Sequence, residues 1–225
     1  PDLIFWIASL ASLLVGLSKG GLPAIGMLSV PLLSLVMSPM KAAALLLPIY
    51  VMSDMVGIFL YRRHFSAINL RILMPAGILG ILLGWGTAAF VPERVITFLI
   101  GLMGATFCIH VWLGKGRIHA AKPAHRGWGS LWGVVSGFTS FISHAGAPPF
   151  QIYMLPQQLP KLQFAGTATL FFALINAAKI VPYQFLQPYT LLGLREAAEL
   201  IPSALIGTML GAYLTKRLAD KWFYM

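Results

Sequence analysis

Residues 18–31 read SKGGLPAIGMLSVP and residues 140–155 read SFISHAGAPPFQIYML. Each stretch sets Gly, Pro, Ser and one basic side chain, Lys19 or His144, into an otherwise hydrophobic run. The two lie at matching places in the two halves of the chain. A helix that breaks inside a membrane leaves backbone groups unpaired, and these are tolerated only where they meet protein or line a cavity. Paired interruptions in the two halves are therefore the best sequence pointer to a carrier's binding site near the midplane.

The rest of the chain agrees that its solvent is lipid. Hydrophobic residues make up 58% and charged residues 10%, and the mean hydropathy is +0.82, whereas a soluble domain carries about 25% charged residues. Apolar runs of about 15 to 21 residues without period-2 alternation predict helices rather than barrel strands. The spans read as Leu3–Leu17, Lys41–Tyr61, Ile72–Phe90, Arg94–Leu113, Trp128–Ile142, Gln163–Tyr183 and Glu199–Leu214. The single cysteine, Cys108, excludes an internal disulfide. The net charge of +10 concentrates in loops, as in Arg62, Arg63 and Arg71, so it reads as cytoplasmic loop charge and not as a nucleic-acid surface.

The polar run 114–126, GKGRIHAAKPAHR, holds Lys115, Arg117, Lys122 and Arg126 without an acid and divides the chain into repeats 1–113 and 127–225. At an offset of 127, Pro75 falls on Pro202, Gly80 on Gly207 and Gly84 on Gly211; at 122, Asp54 falls on Asn176 and Tyr61 on Tyr183. The five-residue difference is assigned to a long loop around 184–198. The expected fold is an all-α polytopic membrane protein, two halves of about four spans each plus one Gly/Pro-broken segment, re-entrant or discontinuous. Re-entrant segments make the repeats parallel and crossing segments make them inverted; the positive-inside count favours inversion. The first half continues into a full span after Arg94, while the second stops at Met225, so a further helix of about 20 apolar residues is expected beyond it.

The runs GLSKGGLPAIGMLSVPLL (16–33) and GFTSFISHAGAPPFQIYML (137–155), repeated around a central polar loop, resemble the TauE/SafE family of sulfite and organosulfonate exporters. That resemblance implies a multi-pass permease of the bacterial inner membrane that moves small sulfur oxyanions on an ion gradient.

The residues themselves fit an anion site. Helices opening at the broken segments would aim amides at a shared centre, and Gly20, Gly21, Gly26 and Gly146 would let backbone approach a ligand; the other role of such glycines is tight helix packing. Lys19 and His144 supply positive charge, Ser143 a hydroxyl, and Ser18, Thr167 and Thr169 further hydroxyls. Asp54 and Lys179 lie deep within spans, where ionisable groups are costly and are retained for function. If the helices bearing Asp54 and Asn176 meet, Asp54 neutralises Lys179 in the empty carrier, an anion competes for that lysine, and Asp54 becomes the coupling group. His110, His119 and His125 show no metal-ligand spacing, and no phosphate-binding Walker run is present. No cofactor is called for. The expected partners are a small anion and the bilayer, with self-association allowed and nucleic acid excluded. An intramembrane redox or enzymatic subunit, a carrier of a non-sulfur solute and a purely structural membrane subunit are the competing readings.

Overall fold

The computed structural model describes residues 3–88 and 121–218, with positions 90, 92, 94, 95, 98, 101, 102, 105, 106, 109 and 112 between them. The span expected at Arg94–Leu113 therefore lies largely outside the described residues, as do Cys108, His110, most of the polar run 114–126 and the chain end at Met225.

Among the described residues the elements are helical. Helix α1 (Leu3–Lys19) is followed by a 3₁₀ turn (Pro23–Leu28) and the five-residue α2 (Ser29–Leu33). Then come α3 (Pro39–Tyr61), α4 (Ala67–Ala88), α5 (Arg126–Ser143), the eight-residue α6 (Ala147–Met154), α7 (Lys161–Leu186) and α8 (Leu191–Arg217). Four of these, α3, α4, α7 and α8, are long and apolar enough to cross a membrane. Pro48, Pro75, Pro182 and Pro202 sit inside these four helices, which membrane helices accommodate because neighbours satisfy the freed carbonyls.

One boundary is corrected. The loop expected around 184–198 is short, because α8 already begins at Leu191, with Thr190 accepting from the Gly193 N–H at 3.1 Å. Its first turns carry Arg195 and Glu199, an exposed i,i+4 pair at 3.6 Å. Those charges broke the hydropathy signal without breaking the helix.

Small residues set the packing. Along α1 and α8, Gly207 abuts the Leu13 carbonyl, Gly16 abuts Ala204 and Thr208, and Gly20 and Gly211 meet each other. The two helices therefore run parallel with their backbones in contact, as small residues permit. Helices α4 and α5 do the same: Gly133 lies on Ala76, Gly80 on Val134 and Gly137, and Gly84 on Phe141. Helices α3 and α7 cross antiparallel at the centre. Asn176 meets Asp54, while Gly166, ten residues earlier, meets Tyr61 and His64. α1 and α5 thus enter from opposite sides and both end in the interior, beside the α3–α7 crossing.

Candidate functional site

The interior where α1 and α5 stop holds the four buried ionisable side chains Lys19, Asp54, His144 and Lys179, each no more than 6% exposed. Both helices end in tight turns. After α1 the chain reverses through Gly21 at φ +114°, a region side chains seldom adopt. After α5 it reverses at His144 itself, at φ 55° in the left-handed region. A non-glycine residue held there by its side chain is a common mark of a functional position.

Two polar centres result. In the first, Lys19 Nζ lies 2.7 Å from Asp54 Oδ1, and Asn176 Nδ2 donates to Asp54 Oδ2 at 2.7 Å. The ammonium also sits over the rings of Tyr50 and Phe172, 5.0 and 5.5 Å from their centroids, where the aromatic faces stabilise it further. In the second, Lys179 Nζ donates to the Ser140 carbonyl and Oγ, each at 3.1 Å, and lies 2.7 Å from His144 Nδ1. His144 Nε2 lies 3.0 Å from the Ala43 carbonyl, which can only accept. That fixes Nε2 as the protonated nitrogen and leaves Nδ1 to accept from Lys179. The imidazole also stacks on Tyr50, centroids 4.5 Å apart.

The pairing of Asp54 with Lys179 expected from sequence is therefore corrected. Asn176 does face Asp54, but the ion-pair partner of Asp54 is Lys19, and Lys179 is directed at α5. Lys179 is fully buried.

A cleft opens between these centres. Of the residues singled out in the sequence, Lys19, Gly26, His144 and Asn176 line it, together with Ser18 and Thr169. Lys179 stands behind Ser140 and His144, and Asp54 behind Lys19 and Asn176. Gly20 and Gly21 lie elsewhere: Gly20 packs on α8, its carbonyl accepting from the Tyr61 and Thr215 hydroxyls, and Gly21 packs against Tyr61 and Thr215. Ser143 bonds back to the Thr139 carbonyl at 3.4 Å, and Gly146 is wedged between Ser136, Ser140 and Phe172. Among the first amides of α6, Pro148 and Pro149 have no N–H, so side chains rather than that helix end supply most donors to the cleft.

Tyr50, Ser140 and Phe172 line the cleft and were not singled out. A signal existed for two of them. Tyr50 and Phe172 stand four residues before Asp54 and Asn176, and the same offset of 122 relates the members of each pair.

The family described as Sulfite exporter TauE/SafE matches residues 8–225. The chain belongs to the TauE/SafE family. No curated protein and no solved structure matches it. As a TauE/SafE protein with four membrane-length helices among its described residues, it is a multi-pass membrane protein of a transporter family. Among the described residues, Lys19, His144 and Lys179 are buried together at the ends of α1 and α5, with the cleft between them.

Proposed function

We propose that the protein is a secondary carrier that moves a small sulfur-containing anion, sulfite or a sulfonate, across a bacterial inner membrane on an ion gradient. The anion sits in the cleft between the ends of α1 and α5. The observation that carries this reading is Lys179, a fully buried lysine for which no carboxylate partner is found among the described residues. A charge so placed is expensive in a membrane interior and is retained where a ligand uses it. Lys19, His144, Asn176, Thr169 and the backbone at Gly26 face the ligand, and Lys179 acts through Ser140 and His144. Asp54 holds Lys19 in place in the empty carrier.

Access alternates by exchange between two inverted repeats. This is supported by the way α1 lies parallel to α8 while its counterpart α5 lies parallel to α4, and by the antiparallel crossing of α3 with its counterpart α7. Such an arrangement lets one half rock against the other around a fixed central site.

The test is flux of labelled sulfite and methanesulfonate into liposomes containing the full protein, with Lys19→Gln and Lys179→Met beside wild type. Flux in wild type that both substitutions abolish is the expected result. Absence of flux for every sulfur anion, or flux indifferent to both lysines, overturns the assignment.

A further inference from the structure

We infer that Asp54 lies on the axis about which the two halves exchange, and that it is passed from Lys19 to His144 when the carrier switches. This rests on the carrier reading above and names the second basic group that alternation brings to the carboxyl.

The halves align at two offsets. At 122, α3 falls on α7, with Tyr50 on Phe172, Asp54 on Asn176 and Gly57 on Lys179. At 125 the interrupted segments coincide, with Ser18 on Ser143, Lys19 on His144, Gly21 on Gly146, Pro23 on Pro148 and Pro31 on Pro156. In a twofold arrangement every contact has an image between the equivalent residues, and a residue touches its own equivalent only at the axis. Asn176 Nδ2 donates to Asp54 Oδ2 at 2.7 Å, so the axis relating α3 and α7 passes between these two side chains. The aromatic frame around them keeps the symmetry. His144 stacks on Tyr50 with centroids 4.5 Å apart, and the image of that contact is Lys19 over Phe172, with Nζ 5.5 Å from the ring centroid.

The polar contacts break the symmetry. Lys19 Nζ lies 2.7 Å from Asp54 Oδ1. His144 is turned off the axis instead, with Nε2 3.0 Å from the Ala43 carbonyl and Nδ1 2.7 Å from Lys179 Nζ. Lys19 is the last residue of α1, whereas His144 caps α5 in the left-handed region. The hold of Lys179 on His144 has no image, because the equivalent of Lys179 is Gly57, which has no side chain. The two halves therefore stand in different conformations around one carboxyl. A carrier built on inverted repeats switches as its halves move about a fixed central site, each taking up the conformation the other had. His144 then comes to the place Lys19 holds now, facing Asp54, and Lys19 withdraws toward the Ala165 carbonyl, the equivalent of that of Ala43. An imidazole N–H can donate to a carboxyl oxygen as a lysine N–H can. Asp54, on the axis, is within reach of both halves and need not move for the exchange.

The experiment is a metal bridge in the purified full-length protein. Asp54→Cys in a Cys108→Ser background puts a thiol on the axis, and the native His144 supplies the second ligand. Cd2+ bridges the two only where the imidazole reaches the position of Asp54, and by binding that arrangement alone it draws the population into it. Saturating Cd2+ is expected to raise the unfolding midpoint by at least about 5 °C, and adding His144→Ala to abolish the shift. No shift beyond that of the Cys108→Ser parent, or a shift that survives His144→Ala, overturns the inference. Either result leaves the carrier reading standing, since that reading falls only with the flux of sulfur anions in wild type. Should Asp54→Cys not fold, Asp54→His offers an imidazole at the same place and is read in the same way with Zn2+.

Discussion

The ion pair between Lys19 and Asp54 offers a quantitative test of the interior described above. At 2.7 Å and an effective dielectric of about 20, the gross attraction is about 6 kcal/mol. Most of that is offset by desolvation, since both residues are at most 4% exposed. What the fold loses on breaking such a pair is dominated by the charge left behind, about 3–5 kcal/mol. Asp54→Asn strands the Lys19 ammonium, and Lys19→Met strands the Asp54 carboxylate with only Asn176 beside it. Each is expected to lower the unfolding midpoint by roughly 6–20 °C for a chain of this size. The double variant strands neither charge, and replacing a buried pair by uncharged groups is often neutral. It should therefore be more stable than either single variant. The assay is thermal unfolding of the three purified variants followed by helical circular dichroism. Single variants within a few degrees of wild type, or a double variant as unstable as the sum of the two, would refute the claim that Lys19 and Asp54 neutralise each other.

Further outcomes follow from the packing and the cleft. A Cβ at Gly80 would collide with the Val134 carbonyl oxygen and one at Gly207 with that of Leu13, so Gly80→Ala and Gly207→Ala should each cost about 1–3 kcal/mol. Gly86 has nothing within 4 Å, and Gly86→Ala should be neutral or stabilising by up to about 1 kcal/mol in the same unfolding assay. Tyr183→Phe removes a 2.6 Å hydrogen bond to the Phe141 carbonyl and is expected to cost about 0.5–1.5 kcal/mol. Thr167 accepts from the Ser66 N–H at 2.8 Å and donates to the Gln163 carbonyl at 2.7 Å, whereas Thr169 lines the cleft. Thr167→Val should thus lower the unfolding midpoint with little change in anion affinity, and Thr169→Val should weaken anion binding at unchanged stability.

The hydropathy of the chain carried most of the helices, because the stretch of a helix that lies in lipid must be apolar and says so residue by residue. It also placed Lys19 and His144 at the ends of their helices, since Gly21 and the prolines beyond each end leave the chain little choice but to turn. The offset of 122 brought Asp54 opposite Asn176, and there the two side chains meet. The same reasoning failed for Lys179. Three residues along a helix is a net turn of about 60° and a rise of about 4.5 Å, so Lys179 stands one turn further along much the same face as Asn176, and there the neighbours are Ser140 and His144 rather than Asp54. Periodicity along one helix fixes neither its rotation nor its neighbours. The glycines failed for a related reason. Gly20 and Gly26 look alike in sequence, but Gly20 meets the backbone of α8, far away in the chain, whereas Gly26 meets the side chains of Ser18 and Tyr50.

The pairing of α1 with α8 also bears on how the protein is made. The Thr215 hydroxyl closes onto the Gly20 carbonyl across 195 residues, and Gly16 and Gly20 pack against the backbone of α8. At about 5–20 residues per second of synthesis, α1 waits roughly 10–40 s in the bilayer before its partner emerges. During that interval its small-residue face and the Lys19 ammonium are without their final neighbours, although Asp54 on α3 arrives much sooner. Early insertion of this chain is thus a holding stage, in which the first helix is kept by whatever the translocation machinery and lipids offer until the last described helix arrives to claim it.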